Sequence, residues 1–226
     1  MIKAVVFDLD GVLIDSETTW SAVRQQFVEE HGGRWHVDAQ RDMMGMSSPE
    51  WSRYMHDRLG VVLAPERISD EVAAVVAAQY HRRVPLLPGA TETVSALAVR
   101  WPLGLASSAN RSLIELVLEQ TQLERYFVDS VSSEEVARGK PAPDVYLEAA
   151  RRLRIPPQTC VAVEDSTNGI RAAVAAAMRV IVIPNRDFPP DRHVLARANR
   201  VLGALGELRP DVIEALDTVE GRDGAR

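Results

Sequence analysis

Short apolar runs alternate with helical patterns along most of this chain, and that alternation restricts the fold more than any other feature. The runs lie at Ala4–Phe7, Leu103–Ala106, Cys160–Val163 and Val180–Ile183, with weaker candidates at Phe127–Val131 and Val201. Continuous apolar runs bounded by turn residues are typical of strands buried in a parallel sheet. The helical patterns lie at Ala90–Val99, Ser112–Gln120, Pro143–Leu153, Thr167–Met178 and Leu208–Leu216. We therefore predict an α/β fold, a Rossmann-like doubly wound parallel sheet with helices on both faces.

One interval of about 70 residues breaks this alternation. From Asp15 to Leu86 we find no convincing strand, and apolar residues such as Trp20 and Phe27 recur at helical spacing. At roughly 150 residues per domain, a chain of 226 residues has room for one domain and about half of another. The prediction is a core domain of residues 1–14 and 87–220, an inserted all-helical cap of residues 15–86, and a flexible tail of residues 221–226.

The composition excludes several classes of partner. Hydrophobic residues make up 46% of the chain and charged residues 26%, which is typical of a soluble globular protein. Because the formal net charge is −6, the chain lacks the polycationic surface that binds nucleic acids or anionic membranes, and we predict neither partner. Cys160 is the only cysteine and the N-terminus is too polar for a signal peptide, which favours a cytoplasmic location. A monomer and a homodimer are both compatible with the sequence.

Chemically active side chains follow the predicted strands directly. They are Asp8 and Asp10 after the first strand, Ser107 and Ser108 after the second, Lys140 in a Gly-Lys-Pro segment, and Glu164 and Asp165 after the Cys160–Val163 strand. Ligands bind at the carboxyl ends of the strands of an open parallel sheet, so we expect these side chains to meet at one edge. Carboxylates crowded there would repel one another unless a cation neutralised them, and Mg²⁺ suits such oxygen ligands.

Lys140 is unusual in its own right. It and Lys3 are the only lysines among the 26 basic residues, so a position that keeps lysine could require a compact ammonium group. A general bias of the genome towards arginine would give the same composition. Lys140 does not belong to a Walker loop, and the sequence also lacks Gly-x-Gly-x-x-Gly, His-Glu-x-x-His and Gly-x-Ser-x-Gly.

The four groups resemble, in type and order, the four motifs of the haloacid dehalogenase superfamily. They are Asp8-x-Asp10-Gly11-Val12, Ser107, Lys140 and Glu164-Asp165, and the helical insert resembles the type-1 cap of that superfamily. The resemblance covers roughly residues 1–187 and is closest to the sugar-phosphate phosphatase and phosphomutase branch. It implies a Mg²⁺-dependent enzyme that transfers the phosphoryl group of a small phosphomonoester. An acid at position 10 disfavours a dehalogenase, because halide leaves without a proton.

The resemblance assigns a role to each residue, and each role is physically reasonable. Asp8 would attack phosphorus and form an aspartyl-phosphate, while Asp10 would protonate the leaving oxygen and later deprotonate water. Ser107 and the amides of Leu9 and Ser108 would hold the phosphoryl oxygens. Lys140 would hold Asp8 and the phosphate. The Mg²⁺ ligands would be Asp8, the backbone carbonyl of Asp10, Asp165, and Glu164 either directly or through water.

The choice between phosphatase and phosphomutase depends on other positions. Members similar to β-phosphoglucomutase carry a histidine where this chain has Trp20, an arginine in the loop that matches Gly45–Pro49, and a lysine where this chain has Asn110. These departures favour hydrolysis, with the phosphomutase as the alternative. A non-catalytic protein that binds a phosphorylated metabolite is a more remote alternative. The candidates for substrate specificity are Trp20, Met46, Ser47, Asn110 and Arg111.

Overall fold

A parallel six-stranded sheet forms the centre of the protein in the computed structural model, which describes residues 1–218. The strand order is β3-β2-β1-β4-β5-β6. The strands are β1 (Ala4–Phe7), β2 (Leu103–Ser107), β3 (Phe127–Ser132), β4 (Cys160–Glu164), β5 (Arg179–Val182) and β6 (Arg200–Val201). Because β1 lies between β2 and β4, the residues that follow it stand at the middle of the sheet edge.

Helices cover both faces of the sheet. The helices between β1 and β2 are α1 (Glu17–Glu30), α2 (Ala39–Met43), α3 (Ser48–Asp57), α4 (Pro65–Arg82) and α5 (Ala90–Ala98). Those that follow β2 are α6 (Arg111–Thr121), α7 (Asp144–Leu153), α8 (Thr167–Ala175), α9 (Arg192–Leu195) and α10 (Pro210–Thr218). No helix within residues 1–218 is long and apolar enough to cross a membrane.

The alternation of side chains along β1 divides the core in two. Val5 and Phe7 are fully buried against the cluster that includes α5 and α6, and this cluster continues into the helical insert. Ala4 and Val6 face a second cluster beneath α7 and α8. A strand that is apolar on both faces therefore follows from a sheet with helices on both faces.

The helical insert leaves and rejoins the sheet at one place. Asp15 donates its backbone N–H to the carbonyl oxygen of Pro85 at 2.8 Å, and Leu87 donates to that of Leu13 at 2.9 Å. Ile14 and Leu86 form an antiparallel bridge between these bonds. The two connections thus run side by side, next to the turn that carries Asp10. We propose residues 15–86 as the cap, with 1–14 and 87–220 as the core.

The predicted fold class is confirmed, and all six predicted strands form. The helix predicted over Thr167–Met178 ends earlier, at Ala175, because Ala177 takes a left-handed conformation with φ 60° that starts the turn into β5. The predicted tail over residues 221–226, and the last two residues of the predicted core, lie outside the described residues.

Candidate active site

Asp8 and Lys140 form the centre of the site. Asp8 follows β1 and Lys140 precedes α7, and the Nζ atom of Lys140 lies 2.9 Å from Oδ1 of Asp8. Both side chains are buried. Burial alone would lower the pKa of Lys140, but the charges of Asp8 and Glu164 outweigh that effect and raise it. Lys140 is therefore a permanent cation beside Asp8.

Three buried carboxylates lie next to one another at this sheet edge. Asp8, Glu164 and Asp165 each bring an oxygen within 4.8 Å of the other two. Burial, together with the charge of Glu164, raises the pKa of both Asp8 and Asp165 well above the usual range of an aspartate, against the opposing effect of Lys140. With the three acids ionised and Lys140 protonated, two negative charges remain, and one divalent cation would balance them.

Among the described residues, Asp165 has an unpaired buried oxygen at this edge. Its Oδ2 atom is buried and has no hydrogen-bond partner within the described chain. A Cβ atom at Gly11, where φ is +74°, would lie only 1.9 Å from that oxygen. An oxygen-only donor set with one unpaired carboxylate oxygen fits a hard cation such as Mg²⁺.

Glu164, in contrast, is saturated with protein donors. Its Oε1 atom accepts from Nζ of Lys140 at 2.7 Å and from the hydroxyl of Tyr146 at 2.6 Å. Its Oε2 atom accepts from the backbone N–H of Asp165 at 3.1 Å and from the Ser166 hydroxyl at 3.3 Å. These bonds hold the carboxylate in one orientation, with Oε1 in contact with Lys140.

Asp10 stands at the mouth of the site, where it is partly exposed. The indole N–H of Trp20 donates to Oδ1 of Asp10 at 3.3 Å. The hydroxyl of Ser107 lies 3.5 Å from Oδ2 and accepts the backbone N–H of Ala109 at 3.0 Å. Asp10 therefore faces the cavity between a cap tryptophan and the serine that ends β2.

The cap contributes a polar wall to the cavity. Glu17, Trp20 and Arg24 lie on one face of α1, and Trp51 of α3 stands beside them. Gln40 donates to Oε2 of Glu17 at 2.6 Å and accepts from Nη1 of Arg24 at 3.3 Å. Burial and the charge of Asp10 raise the pKa of Glu17 to about 7, against Arg24 and Gln40, which lower it.

The cap turn over residues 44–46 is held by hydrogen bonds from the core. The hydroxyl of Ser108 donates to the carbonyl oxygen of Gly45 at 2.8 Å, and the side-chain amide of Asn168 donates to that of Met44 at 2.9 Å. Gly45 has φ +73°, a left-handed conformation that glycine adopts without strain. Both acceptors are main-chain atoms.

The structure separates the five specificity candidates into two groups. Trp20 and Met46 line the cavity. Ser47 is the N-cap residue of α3, and the Glu50 carboxylate accepts from its backbone N–H at 2.8 Å and from its hydroxyl at 2.6 Å. Asn110 donates to Glu134 at 2.7 Å, and Arg111 pairs with Glu135 and Ser130. Within the described chain, these last three residues do not line the cavity. Asn110 and Arg111 instead contact Glu134 and Glu135, two acidic residues that follow β3.

Sequence reasoning missed three residues of the cavity wall, namely Glu17, Arg24 and Trp51. Glu17 and Arg24 share the helical face of Trp20, three residues before it and four residues after it. A polar residue on the apolar face of a predicted helix was the available signal. Trp51 gave none, because its approach depends on how α3 packs against α1.

Phosphoryl transfer requires positioning and charge neutralisation more than a strong nucleophile, and this sheet edge offers both. A family model for haloacid dehalogenase-like hydrolases matches residues 2–177, and the chain belongs to this family.

Named relatives extend over nearly the whole chain. Hexitol phosphatase B of Escherichia coli is 36% identical over 218 residues, which cover 92% of this chain and 94% of that protein. The structure of CbbY from Rhodobacter sphaeroides in complex with phosphate has a TM-score of 0.80 at 27% identity and covers 92% of this chain and 96% of that one. The structure of β-phosphoglucomutase from Clostridium difficile has a TM-score of 0.84 at 21% identity and covers 98% and 100%, a likeness of fold alone. The chain is an enzyme of the phosphatase class.

Proposed function

We propose that this protein is a Mg²⁺-dependent phosphomonoesterase that hydrolyses a small phosphorylated metabolite through an aspartyl-phosphate on Asp8. The pairing of Asp8 with Lys140 at 2.9 Å, beside the Asp8, Glu164 and Asp165 cluster, is the observation that carries the proposal. The named phosphatase relative, a hexitol phosphatase, supports a sugar or polyol phosphate as substrate. Phosphoglycolate is the other small substrate that we consider.

Asp8 is the proposed nucleophile. Its carboxylate attacks phosphorus in line, and the bond between phosphorus and the alcohol oxygen breaks as the new bond to Asp8 forms. Lys140 favours the ionised form of Asp8 and would face the phosphoryl oxygens as a point charge. Water then attacks the aspartyl-phosphate, which releases inorganic phosphate and restores Asp8.

Asp10 is the proposed general acid and base. It gives its proton to the leaving alcohol oxygen in the first step and takes a proton from water in the second. Its two oxygens lie near Trp20 and Ser107, at 3.3 and 3.5 Å, so the carboxyl group is oriented towards the cavity. Trp20 is a positioning residue in this scheme.

The phosphate subsite that we propose consists of the hydroxyl of Ser107 and the backbone amides of Leu9 and Ser108. These groups follow β1 and β2, which are neighbours in the sheet. Neutral donors fixed on strand ends suit the three oxygens of a phosphoryl group, because they need no reorganisation as its charge changes. The hydroxyl of Ser108 is already committed to Gly45 of the cap.

Mg²⁺ would be held by Asp8, Asp165 and the backbone carbonyl of Asp10, and by Glu164 through water. Water is the proposed link because both oxygens of Glu164 already accept hydrogen bonds from the protein. When bound, the cation neutralises the charge of the carboxylates and of the phosphoryl oxygens. The unpaired Oδ2 atom of Asp165 supports its direct contact with the cation.

Hydrolysis is favoured over phosphomutase action by the cap. A mutase that works through a sugar bisphosphate has to bind two phosphate groups, and the second needs cations on the cap side. Among the described residues that line the cavity, Arg24 is the one cation, and Glu17 lies on the same wall. Trp20 stands where the mutase-like members carry a histidine.

Phosphate release from a panel of phosphomonoesters tests the proposal. Wild type should release phosphate with Mg²⁺ and lose activity with EDTA, and Asp8→Asn should lower kcat at least about 10³-fold. Asp70→Asn, an exposed aspartate of α4, is the matched control and should behave as wild type. If wild type and Asp8→Asn are equally inert while an ester still binds, the protein is a binding protein. With β-glucose 1-phosphate and a trace of bisphosphate, glucose 6-phosphate forming faster than free phosphate would establish the mutase.

A further inference from the structure

Arg24 is a buried cation with unused hydrogen-bonding capacity. Its side chain is 5% exposed and lines the same cavity as Asp8 and Asp10. Among the described residues it has one hydrogen-bond acceptor, Oε1 of Gln40, at 3.3 Å from Nη1. Its Nε atom is buried and has no partner within that part of the chain. A guanidinium group has five N–H donors, and burying them unpaired is costly, so a ligand is the expected acceptor.

The guanidinium group is held in a defined place. Its central carbon lies 4.6 Å from the ring centroid of Trp20 and 4.8 Å from that of Trp51. The two indoles pack edge to face, with centroids 5.9 Å apart. Cation–π attraction to both rings and the bond to Gln40 fix the position of the donors. Arg24 is therefore a preorganised donor rather than a mobile surface charge.

Above its pKa of about 7, the ionised carboxylate of Glu17 balances the charge of Arg24 on this wall. Its side chain is 8% exposed, lines the same cavity, and is linked to Arg24 through Gln40. A second phosphate or a carboxylate on the substrate would be attracted by Arg24 and repelled by Glu17. A hydroxyl group both accepts and donates hydrogen bonds, so it matches a guanidinium and a carboxylate together.

Apolar side chains border the polar pair in the cavity. Trp20, Met46 and Trp51 line the same space as Arg24 and Glu17. The carbon chain of a sugar or polyol can pack against these side chains while its hydroxyl groups reach Arg24 and Glu17.

We propose that Arg24 and Glu17 bind hydroxyl groups of an uncharged sugar or polyol that carries the phosphate, and that together they discriminate against substrates with a second anionic group. The inference rests on the proposed function and narrows its substrate class, since it favours polyol and sugar phosphates over phosphoglycolate. The atoms that react with phosphorus are unchanged by it.

The test uses esters that differ in one group. Glycerol 3-phosphate and 3-phosphoglycerate differ by a hydroxymethyl against a carboxylate group, and n-propyl phosphate has the same three carbons without hydroxyls. Sorbitol 6-phosphate and 6-phosphogluconate repeat the comparison with six carbons. For wild type with Mg²⁺, kcat/KM for each polyol ester should exceed that for its carboxylate partner by about tenfold or more.

Three variants separate recognition from structure. Arg24→Met should lower the ratio of kcat/KM for glycerol 3-phosphate to that for n-propyl phosphate by about tenfold to a hundredfold. Glu17→Gln leaves Arg24 without its counter-charge. At pH 8, where Glu17 of the wild type is ionised, this change should raise the ratio of kcat/KM for 3-phosphoglycerate to that for glycerol 3-phosphate about tenfold. Arg53→Met, which removes an exposed arginine from the same cap, should leave every ratio unchanged. If Arg24→Met does not fold, Glu17→Gln carries the test alone.

The failure of this inference differs from the failure of the proposed function. A wild type that releases phosphate neither from these esters nor from phosphoglycolate and the wider panel contradicts the proposed function. Equal losses for all esters in the Arg24 and Glu17 variants, or a wild type that prefers the carboxylate partners, would overturn the substrate inference while hydrolysis stands. Calorimetric titration of the same esters into the Asp8→Asn variant measures their dissociation constants without turnover. We expect each polyol ester to bind more tightly than its carboxylate partner.

Discussion

Lys140 and Glu164 form an ion pair at 2.7 Å in which neither side chain is more than 1% exposed. The ammonium group also contacts Asp8, and the Tyr146 ring centroid lies 5.1 Å from it. Two buried carboxylates thus depend on one buried cation. A larger, planar guanidinium would not fit between these groups without moving them. The use of lysine at this position, in a chain that otherwise relies on arginine, therefore has a structural reason.

Lys140→Met should destabilise the fold by about 3–5 kcal/mol, because it leaves two buried carboxylates without their cation. Lys140→Arg keeps the charge but overfills the space, and we expect a loss of about 1–3 kcal/mol together with a large loss of phosphatase activity. Urea unfolding in EDTA measures both effects. Lys3→Met removes the other lysine, which is exposed, and is the matched control. Unfolding free energies for Lys140→Met and Lys3→Met that agree within about 0.5 kcal/mol would contradict this account.

Mg²⁺ should raise the melting temperature of the wild type, because it neutralises the acid cluster only in the folded state. At a concentration of 100 times its dissociation constant the gain is about 2.7 kcal/mol. Asp165→Asn removes one of the crowded carboxylates, so its metal-free form should melt above metal-free wild type and should not respond to Mg²⁺. Scanning calorimetry with EDTA and with Mg²⁺ measures both. Asp70→Asn should respond as wild type does, and a full Mg²⁺ response in Asp165→Asn would exclude that residue as a ligand.

Glu17 should make the folded state less stable as the pH rises. Its pKa in the folded protein is about 7, raised by burial and by Asp10, against 4.5 in the unfolded chain. The folded state binds the proton of Glu17 more tightly than the unfolded chain does. The contribution of Glu17 to the free energy of unfolding is therefore complete below pH 4.5 and is lost as the pH rises to about 7. The loss amounts to about 3 kcal/mol. Unfolding free energies at pH 5 and pH 8, with Mg²⁺ present, should differ by less in Glu17→Gln than in wild type. Equal pH dependence in the two proteins would argue against the shifted pKa.

Gly169→Ala should destabilise the protein, although the same change within a helix ordinarily stabilises by about 0.5–1 kcal/mol. Gly169 lies in α8, and a Cβ atom there would come within 1.9 Å of the carboxyl group of Glu164. Because Lys140 and Tyr146 hold that carboxyl group, we expect a net loss of about 1–3 kcal/mol and lower activity. Thermal unfolding compares it with Gly206→Ala, where no heavy atom lies within 4 Å of the added group. A Gly169 variant as stable as the Gly206 variant would mean that Glu164 moves freely.

The centre of the sheet could be predicted because β1, β2, β4 and β5 are mainly apolar and buried on both faces. The strands β3 and β6 are largely exposed, which is why their apolar signals were weaker. The ends of the elements could not be predicted, and α8 shows why. Ala175, Ala176 and Ala177 favour helix equally, so no residue in the sequence marks the turn at Ala177. Packing of Met178 against the core, together with the register of β5, determines where the helix stops.

The chemistry of the core edge was predictable for a similar reason. Ser107 ends a strand and Asp8 and Asp165 directly follow one, and the topology of a parallel sheet brings strand ends together. The cap wall follows no such rule, because the approach of Trp51 and Arg24 depends on the angles between helices. Asn110 and Arg111 follow a strand as well, but acids beyond β3 attract them away from the cavity.

The cap turn is held by hydrogen bonds to its main chain, which do not depend on its side chains. Ser108 and Asn168 donate to the main-chain oxygens of Gly45 and Met44, and those acceptors stay in place whichever side chains flank them. Met44 and Met46 line the cavity beside these bonds, and neither side chain takes part in them. Apolar substitutions of similar size at these two positions can therefore reshape the cavity lining while the main-chain bonds between turn and core remain, which makes this turn suitable for redesigning selectivity.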